Sequence, residues 1–210
     1  MVTEMAIPQP SILTAPASAE SELVSLARSG DAAACDELAR RFRQPAYLLA
    51  LQLLGDQEDA LDVAQDSLLR FFTKLHRFRS GLPVKPWLLS IVRNRALDLV
   101  RRKKVRRAEP LENEEGDYRP ELIDHGVDPE TDYARRELKE RLWRALGLLP
   151  ANQREILVLR DYQDLSYAEI ARVLDVPVGT VMSRLHRARA GLRVLLEREG
   201  SAGFPRSTAL

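Results

Sequence analysis

Cysteine and histidine are scarce in this chain, which limits the chemistry it can support. A single cysteine, Cys35, cannot form an internal disulfide, and its apolar surroundings predict a small core residue rather than a redox thiol. The histidines, His76, His125 and His186, are scattered without metal-ligand spacing. We therefore expect no metal and no other cofactor.

Long apolar runs are also missing. No stretch approaches the about 18 consecutive apolar residues of a membrane span, and the N-terminus lacks the pattern of a signal peptide. We therefore expect no membrane insertion and a cytoplasmic location. Aromatic residues make up only 6% of the 210 residues, whereas 45% are hydrophobic and 30% charged. This composition predicts one or two soluble globular domains with aliphatic cores.

The net charge of +1 hides a segregation of charge along the chain. Residues 93–107 contain eight Lys or Arg and one Asp, whereas residues 109–132 contain ten acids and one Arg. A helix with so many cations cannot neutralise them itself, so we expect phosphate backbone as the counter-ion. The acidic, proline-containing segment has no helical stripe and is interpreted as an extended linker.

A helix-turn-helix is predicted by the stretch LSYAEIARVLDVPVGTVMSRLHRAR. Ser166 and Glu169 have the spacing of a capping box, and Asp175-Val176-Pro177 ends the first helix. The second helix has an apolar stripe, Val181, Leu185, Ala188 and Leu192, which would face the core. Its opposite face carries the hydroxyl and basic groups expected in a DNA major groove. An ordinary helical hairpin with a solvated basic face is the alternative.

Helices also precede this motif. The apolar spacing predicts one from Tyr133 to about Leu149 and another whose start Asn152 and Glu155 could cap. In the first half, helices are predicted from near Ser21, from the cap Asp31 to about Leu54, and from Gln57 to about His76. Pro45 lies inside the second of these and should kink or split it, and the pattern does not distinguish the two.

An acidic face is predicted on the helix that begins at Gln57. Asp59, Asp62 and Asp66 recur at helical spacing, with Gln65 beside them. Such a row of carboxylates would favour binding to a basic partner. A plain solvated surface is one alternative, and a carboxylate metal site of a nuclease is another, although one helix supplies only a row of ligands.

A loop and a basic helix follow. The loop, residues 76–86, interleaves basic and apolar groups and could hold an unstacked base, or it could be an ordinary connection with Phe78 in the core. The helix is predicted from Trp87 to about Arg107, and its Asn94 could read a base edge.

At this point the residues resemble a known family, the bacterial RNA polymerase sigma factors of the sigma-70 class, in the small extracytoplasmic-function (ECF) group. Region 4 of that family is similar to LPANQREILVLRDYQDLSYAEIARVLDVPVGTVMSRLHRAR, and region 2 is similar to GDQEDALDVAQDSLLRFF and PWLLSIVRNRALDLVRR. The resemblance implies an all-α fold of two small helical domains, a region 2 bundle and a four-helix region 4 with the helix-turn-helix, joined by a flexible acidic linker. The expected boundaries are a disordered tail at 1–19, region 2 at 20–107, the linker at 108–132, region 4 at 133–197 and a tail at 198–210.

The resemblance also implies roles for individual residues. Docking on the clamp helices of the largest polymerase subunit would use Asp59, Asp62, Gln65 and Asp66, and the flap would be a further contact on core. Recognition and melting of the minus-10 element would use Phe78, Arg79, Lys85, Trp87, Arg93, Asn94, Arg101 and Arg102. Recognition of the minus-35 element would use Thr180, Ser183, Arg184, His186 and Arg187.

Taken together, these features predict a non-enzymatic protein that binds RNA polymerase core and directs promoter-specific initiation, commonly under an anti-sigma partner in this group. The alternative is a stand-alone helix-turn-helix regulator that binds duplex DNA without core polymerase. Three departures from the family pattern are Cys35, Pro45 and Ser67, and none of them lies at a predicted contact.

Overall fold

The computed structural model describes residues 17–79, 81–107 and 132–202, and throughout these ranges the regular elements are helices. The all-α prediction is confirmed. The predicted tail at 1–19 lies outside the described residues except for its last three, and so does the predicted linker except for Asp132. Across the described ranges, every helix falls short of the length and hydropathy that a bilayer crossing needs.

The first half contains four helices: α1 (Ala17–Arg28), α2 (Ala32–Leu54), α3 (Gln57–Thr73) and α4 (Val84–Arg107). A short 3₁₀ turn, Leu75–Arg77, follows α3. The carboxylates of Asp31 and Asp56 accept backbone amides and cap the starts of α2 and α3. Pro45 lies inside α2 without splitting it, which answers the question that the sequence left open.

The start of α4 differs from the prediction. The helix begins at Val84, three residues before Trp87, so Lys85 belongs to its first turn and not to the preceding loop. Proline is tolerated in a first turn, which explains why Pro86 does not delay the helix. The Val84 amide donates to a carboxylate oxygen of Glu20 at 3.0 Å, so α1 caps α4 across 64 residues of chain.

The second half contains α5 (Asp132–Gly147), α6 (Ala151–Leu157), α7 (Tyr167–Leu174) and α8 (Val178–Ala202), and α6 continues as one π-helical turn, Val158–Tyr162. Two predictions are wrong here. Pro150 occupies the cap position of α6, and Asn152 and Glu155 do not form the expected cap. Helix α8 also runs through Ala202, into the predicted tail, since a single glycine such as Gly200 weakens a helix by only about 1 kcal/mol.

The two halves pack against each other around a continuous buried core. Helix α2 packs on α3 and α4, α8 packs on α6, and between the halves α4 contacts α7 and α2 contacts α6. Phe71 lies fully buried in the first half, with its ring 5.3 Å from that of Trp87. The sequence does not predict how the two halves are arranged. In this structure they pack against each other, an arrangement that we call closed.

Ser67 provides a test of this core. Its side chain is fully buried, and among the described residues its hydroxyl has no hydrogen-bond partner. Removing an unsatisfied buried hydroxyl should stabilise, so we expect Ser67→Ala to raise the free energy of unfolding by about 1 kcal/mol in urea denaturation. Ser90→Ala is the control, since the Ser90 hydroxyl donates to the carbonyl of Trp87 at 2.6 Å. A loss of stability in Ser67→Ala would contradict this reading.

Candidate nucleic-acid interface

The helix-turn-helix is built as its sequence predicts. The Ser166 hydroxyl accepts the amide of Glu169, and the Glu169 carboxylate accepts the amide of Ser166, so the capping box is formed. Asp175 ends α7 in the left-handed region, with φ 53°, which turns the chain towards α8. Ile170 and Val173 are buried beneath the turn. This local geometry fixes the direction of α8.

Helix α8 presents a polar face to solvent. Val181, Leu185 and Ala188 are buried, as the stripe predicts. On the opposite face Ser183, His186 and Arg187 are exposed, while Thr180 and Arg184 are half-buried. The five residues predicted to enter a major groove therefore share one side of the helix, and three of them are exposed.

The basic helix α4 also keeps part of its predicted face accessible. Asn94, Arg101 and Arg102 are exposed, and so is Arg79 in the preceding loop. Arg101 pairs with Asp98 at 3.2 Å within the helix, but its side chain stays 75% exposed. These four groups remain available to a phosphate backbone or a base.

Lys85 and Arg93, unlike the four exposed groups, contact the second half of the chain. The Lys85 ammonium donates to the carbonyl of Gln163 at 2.6 Å, and the Arg93 guanidinium donates to a carboxylate oxygen of Glu155 at 2.7 Å. Both partners belong to the second half of the chain. Two predicted DNA contacts are therefore engaged between the halves in this structure.

The aromatic pair of the predicted base-binding loop is mostly buried. Phe78 is 7% exposed, its ring lies 5.0 Å from that of Trp87, and the guanidinium of Arg28 lies 6.0 Å from its centre. Of the two readings that the sequence allowed for Phe78, the structure shows the core position. Trp87 is half-buried and contacts Phe71 as well.

The acidic row on α3 is divided between internal and external roles. Asp59 pairs with Lys103, and Asp66 pairs with Arg95 and, at 3.0 Å, with Arg70. Lys103 and Arg95, two of the cations of the basic helix α4, are therefore paired with carboxylates of α3 in this structure. Asp62 and Gln65 are exposed to solvent.

Burial dominates the electrostatics at the contact between the halves. Desolvation raises the pKa of the Glu155 carboxyl, and the nearby Arg93 and Arg184 oppose this only in part. Burial likewise lowers the pKa of the Lys85 ammonium, against the attraction of Asp164, Glu169 and Glu20. Each group is thus shifted towards its neutral form, so closing the halves over these charges carries an energetic cost.

Glu155 and Gln163 are the residues that sequence reasoning missed. Glu155 is 5% exposed and Gln163 is 2% exposed, and the side-chain amide of Gln163 donates to the carbonyl of Pro45 at 3.2 Å. The spacing of Glu155 from Asn152 predicts a cap, although an acid next to an uninterrupted apolar run is also a signal of burial. Gln163 gave no signal.

Comparison with family models gives a match in each half of the chain. Residues 38–106 match the model described as Sigma-70 region 2, and residues 139–192 match that described as Sigma-70, region 4. The first match spans α3 and α4 with most of α2, and the second spans the helix-turn-helix.

Several curated proteins are similar over most of the chain. The ECF RNA polymerase sigma factor SigE of Mycolicibacterium smegmatis is 39% identical over 82% of this chain, which spans 66% of that relative's length. The ECF RNA polymerase sigma factor SigM of Mycobacterium tuberculosis (strain H37Rv) is 38% identical, and 84% of each chain is covered. The ECF RNA polymerase sigma factor SigW of Bacillus subtilis is 30% identical over 79% of this chain and 90% of its own.

Two solved structures have a similar fold. The sigma factor RpoE from Bartonella quintana, in complex with the anti-sigma factor NepR, gives a TM-score of 0.63 at 25% identity, covering 77% of this chain and 96% of that one. CnrH, in complex with the cytosolic domain of CnrY, gives a TM-score of 0.62 at 30% identity, covering 86% of this chain and 98% of that one.

Proposed function

Since this chain belongs to the sigma-70 family of RNA polymerase sigma factors, in the ECF group, we propose that it binds RNA polymerase core and directs initiation at a specific set of promoters. Its own contribution is recognition and duplex opening. Unstacking a base costs a few kcal/mol, which contacts to the separated strand would offset. The polymerising chemistry belongs to core.

The observation that carries this proposal is the geometry of α8. A buried stripe holds the helix on its domain, while Ser183, His186 and Arg187 project together into solvent. Hydroxyl, imidazole and guanidinium groups are the donors and acceptors that read base edges in a major groove. We assign this face, with Thr180 and Arg184 at its edge, to the minus-35 element.

We assign the minus-10 element to the first half of the chain. The exposed groups Arg79, Asn94, Arg101 and Arg102 would bind it, with the cations on phosphates and the amide on a base edge. Lys85 and Arg93 would join them once the halves separate. Trp87 would support the loop that receives an unstacked base, and Phe78 would have to leave its core position to contact that base directly.

We assign the exposed part of the acidic row, Asp62 and Gln65, to docking on core, on a basic helical surface of its largest subunit. An anti-sigma partner is a further proposal, supported by the similar structure of RpoE, which was solved in complex with the anti-sigma factor NepR. Such a partner would have to cover the docking surface or hold the halves closed.

Transcription with purified core tests the function. The chain and core polymerase should together produce transcripts with defined start sites from genomic fragments, and core alone should not. If the chain binds duplex DNA tightly by itself and never changes the start sites of core, it is a stand-alone regulator and the proposal is wrong.

Arg187 offers a test of the minus-35 assignment. Arg187→Ala should weaken binding of the complex with core to its promoter by about tenfold to a hundredfold, since a good side-chain contact to a base is worth ~1–3 kcal/mol. The measurement is binding to labelled promoter DNA with and without the minus-35 element. Arg193→Ala removes another exposed arginine further along α8 and should have a much smaller effect. Equal losses in both variants would indicate general phosphate attraction.

A further inference from the structure

The contact between the halves uses groups that the proposed function needs elsewhere. The Arg93 side chain is only 20% exposed, because its guanidinium lies on the Glu155 carboxylate, whose side chain is 6% exposed. Lys85, in the first turn of the same helix, donates to the carbonyl of Gln163. Lys85 and Arg93 are half-buried between the halves, so a phosphate can reach them less easily than it can reach the exposed Arg101.

Gln163 joins three elements at this contact. Its backbone carbonyl accepts Lys85 of α4, and its side-chain amide donates to the carbonyl of Pro45 in α2. The side chain of Gln163 is buried, so its bond to Pro45 is made away from water, whereas its bond with Lys85 is partly buried. One residue thus ties the end of the π-helical turn to two helices of the other half.

The contact reaches the second DNA-facing helix as well. Arg184, on the α8 face assigned to the minus-35 element, is half-buried and close enough to act on the charge of Glu155. Helix α7, the first helix of the helix-turn-helix, packs directly on α4. Closing the halves therefore constrains both DNA-facing elements at once.

We propose that the chain without polymerase inhibits its own DNA binding through a latch, formed by the Arg93–Glu155 ion pair together with the contacts of Gln163 to Lys85 and Pro45. The latch rests on the proposed function, since it withholds Lys85 and Arg93 from the minus-10 element until core separates the halves. It adds a restraint that is built into the chain and needs no second protein.

The energetics suit a contact that has to open. Glu155 and Lys85 are both buried where the halves meet, so desolvation cancels part of the attraction of Glu155 to Arg93 and of Lys85 to Asp164. A buried ion pair nevertheless becomes strongly unfavourable when one partner alone is removed, because the other charge stays buried. Removing only the Glu155 charge should therefore open the halves.

The test uses the full chain without polymerase. Glu155→Gln keeps the shape of the side chain and removes its charge. We expect a larger radius of gyration in small-angle X-ray scattering and at least about tenfold tighter binding to a short labelled duplex of arbitrary sequence, since the buried pair is broken. Release of two cations should also steepen the dependence of log affinity on log salt by about 0.9 for each phosphate contacted.

A charge exchange separates the latch from a general loss of structure. Glu155→Arg alone should open the chain, and the double variant Arg93→Glu with Glu155→Arg should restore the compact radius in scattering. Glu37→Gln is the matched control, because the Glu37 carboxylate pairs with Arg41 at 2.6 Å within α2 alone. It should leave both the radius and duplex binding as in the wild type.

The outcomes distinguish this proposal from the function on which it rests. If Glu155→Gln is as compact as the wild type and binds the duplex no better, the latch does not exist. This conclusion holds whether or not the chain binds core polymerase. If the double variant stays open, the ion pair is not what holds the halves. Failure of the wild-type chain to co-elute with purified core would overturn the proposed function. The scattering experiment would still show whether the latch holds the halves together.

Discussion

Replacing Asp62 with arginine should lower the affinity of the chain for core polymerase by at least about thirtyfold, because a charge removed from a docked pair typically costs 2 kcal/mol or more and a like charge adds repulsion. Asp62 is exposed on α3, whereas Asp59 and Asp66 in the same row already bind Lys103 and Arg95. The exposed carboxylate is therefore the one expected to meet a basic partner. Titration of labelled chain with core measures the loss.

Two further variants show whether the effect belongs to this site. Glu22→Arg reverses an exposed charge on α1, away from the acidic row, and should bind core nearly as the wild type does. Asp66→Asn should mainly weaken the packing of α3 on α4 and lower the stability of the first half. If Glu22→Arg and Asp62→Arg weaken core binding equally, attraction by overall charge explains the result and the docking assignment is wrong.

Phe71→Ala should cost about 3–5 kcal/mol of folding free energy, the usual range for deleting a buried ring. Phe71 is fully buried, and its ring is 6.4 Å from that of Phe42, 5.1 Å from that of Phe72 and 5.3 Å from that of Trp87. The loss is a large share of the about 5–15 kcal/mol that stabilises a typical domain. Urea denaturation followed by circular dichroism measures it.

The proposed function should be lost together with the fold in this variant, because Phe71 lies on α3, which carries the acidic row, and contacts Trp87 near the start of α4. Phe71→Leu is the control: it retains an apolar side chain and should cost less than about 1.5 kcal/mol. A Phe71→Ala protein within 1 kcal/mol of the wild type would show that the ring contacts contribute little to this core.

The local parts of the fold could be read from the sequence because local rules determine them. A hydroxyl three residues before a glutamate specifies the cap at Ser166, and apolar spacing alone identifies the buried side of α8. The cap at Asp31 follows from the same logic. In each of these cases the residues that decide the structure are within one or two helical turns of each other.

The contact between the halves could not be read in this way. Arg93 and Glu155 are 62 residues apart and Gln163 and Pro45 are 118 residues apart, and no periodicity connects such pairs. Glu155 looked like a capping residue because its spacing permitted that role, but its carboxylate lies on a distant arginine instead. Phe78 illustrates the same limit, since the sequence does not distinguish an aromatic ring that stacks on a base from one that packs in the core.

The carboxylate of Glu20 that caps α4 has a consequence for how the protein is made. Because a chain leaves the ribosome from its amino end, Glu20 is synthesised before Val84 and is available when the amides of α4 emerge. The acceptor of the capping bond is therefore already present when the first turn of α4 forms. A shortened translation product that starts beyond residue 20 would leave that amide without its acceptor, and we expect the first turn of α4 to fray.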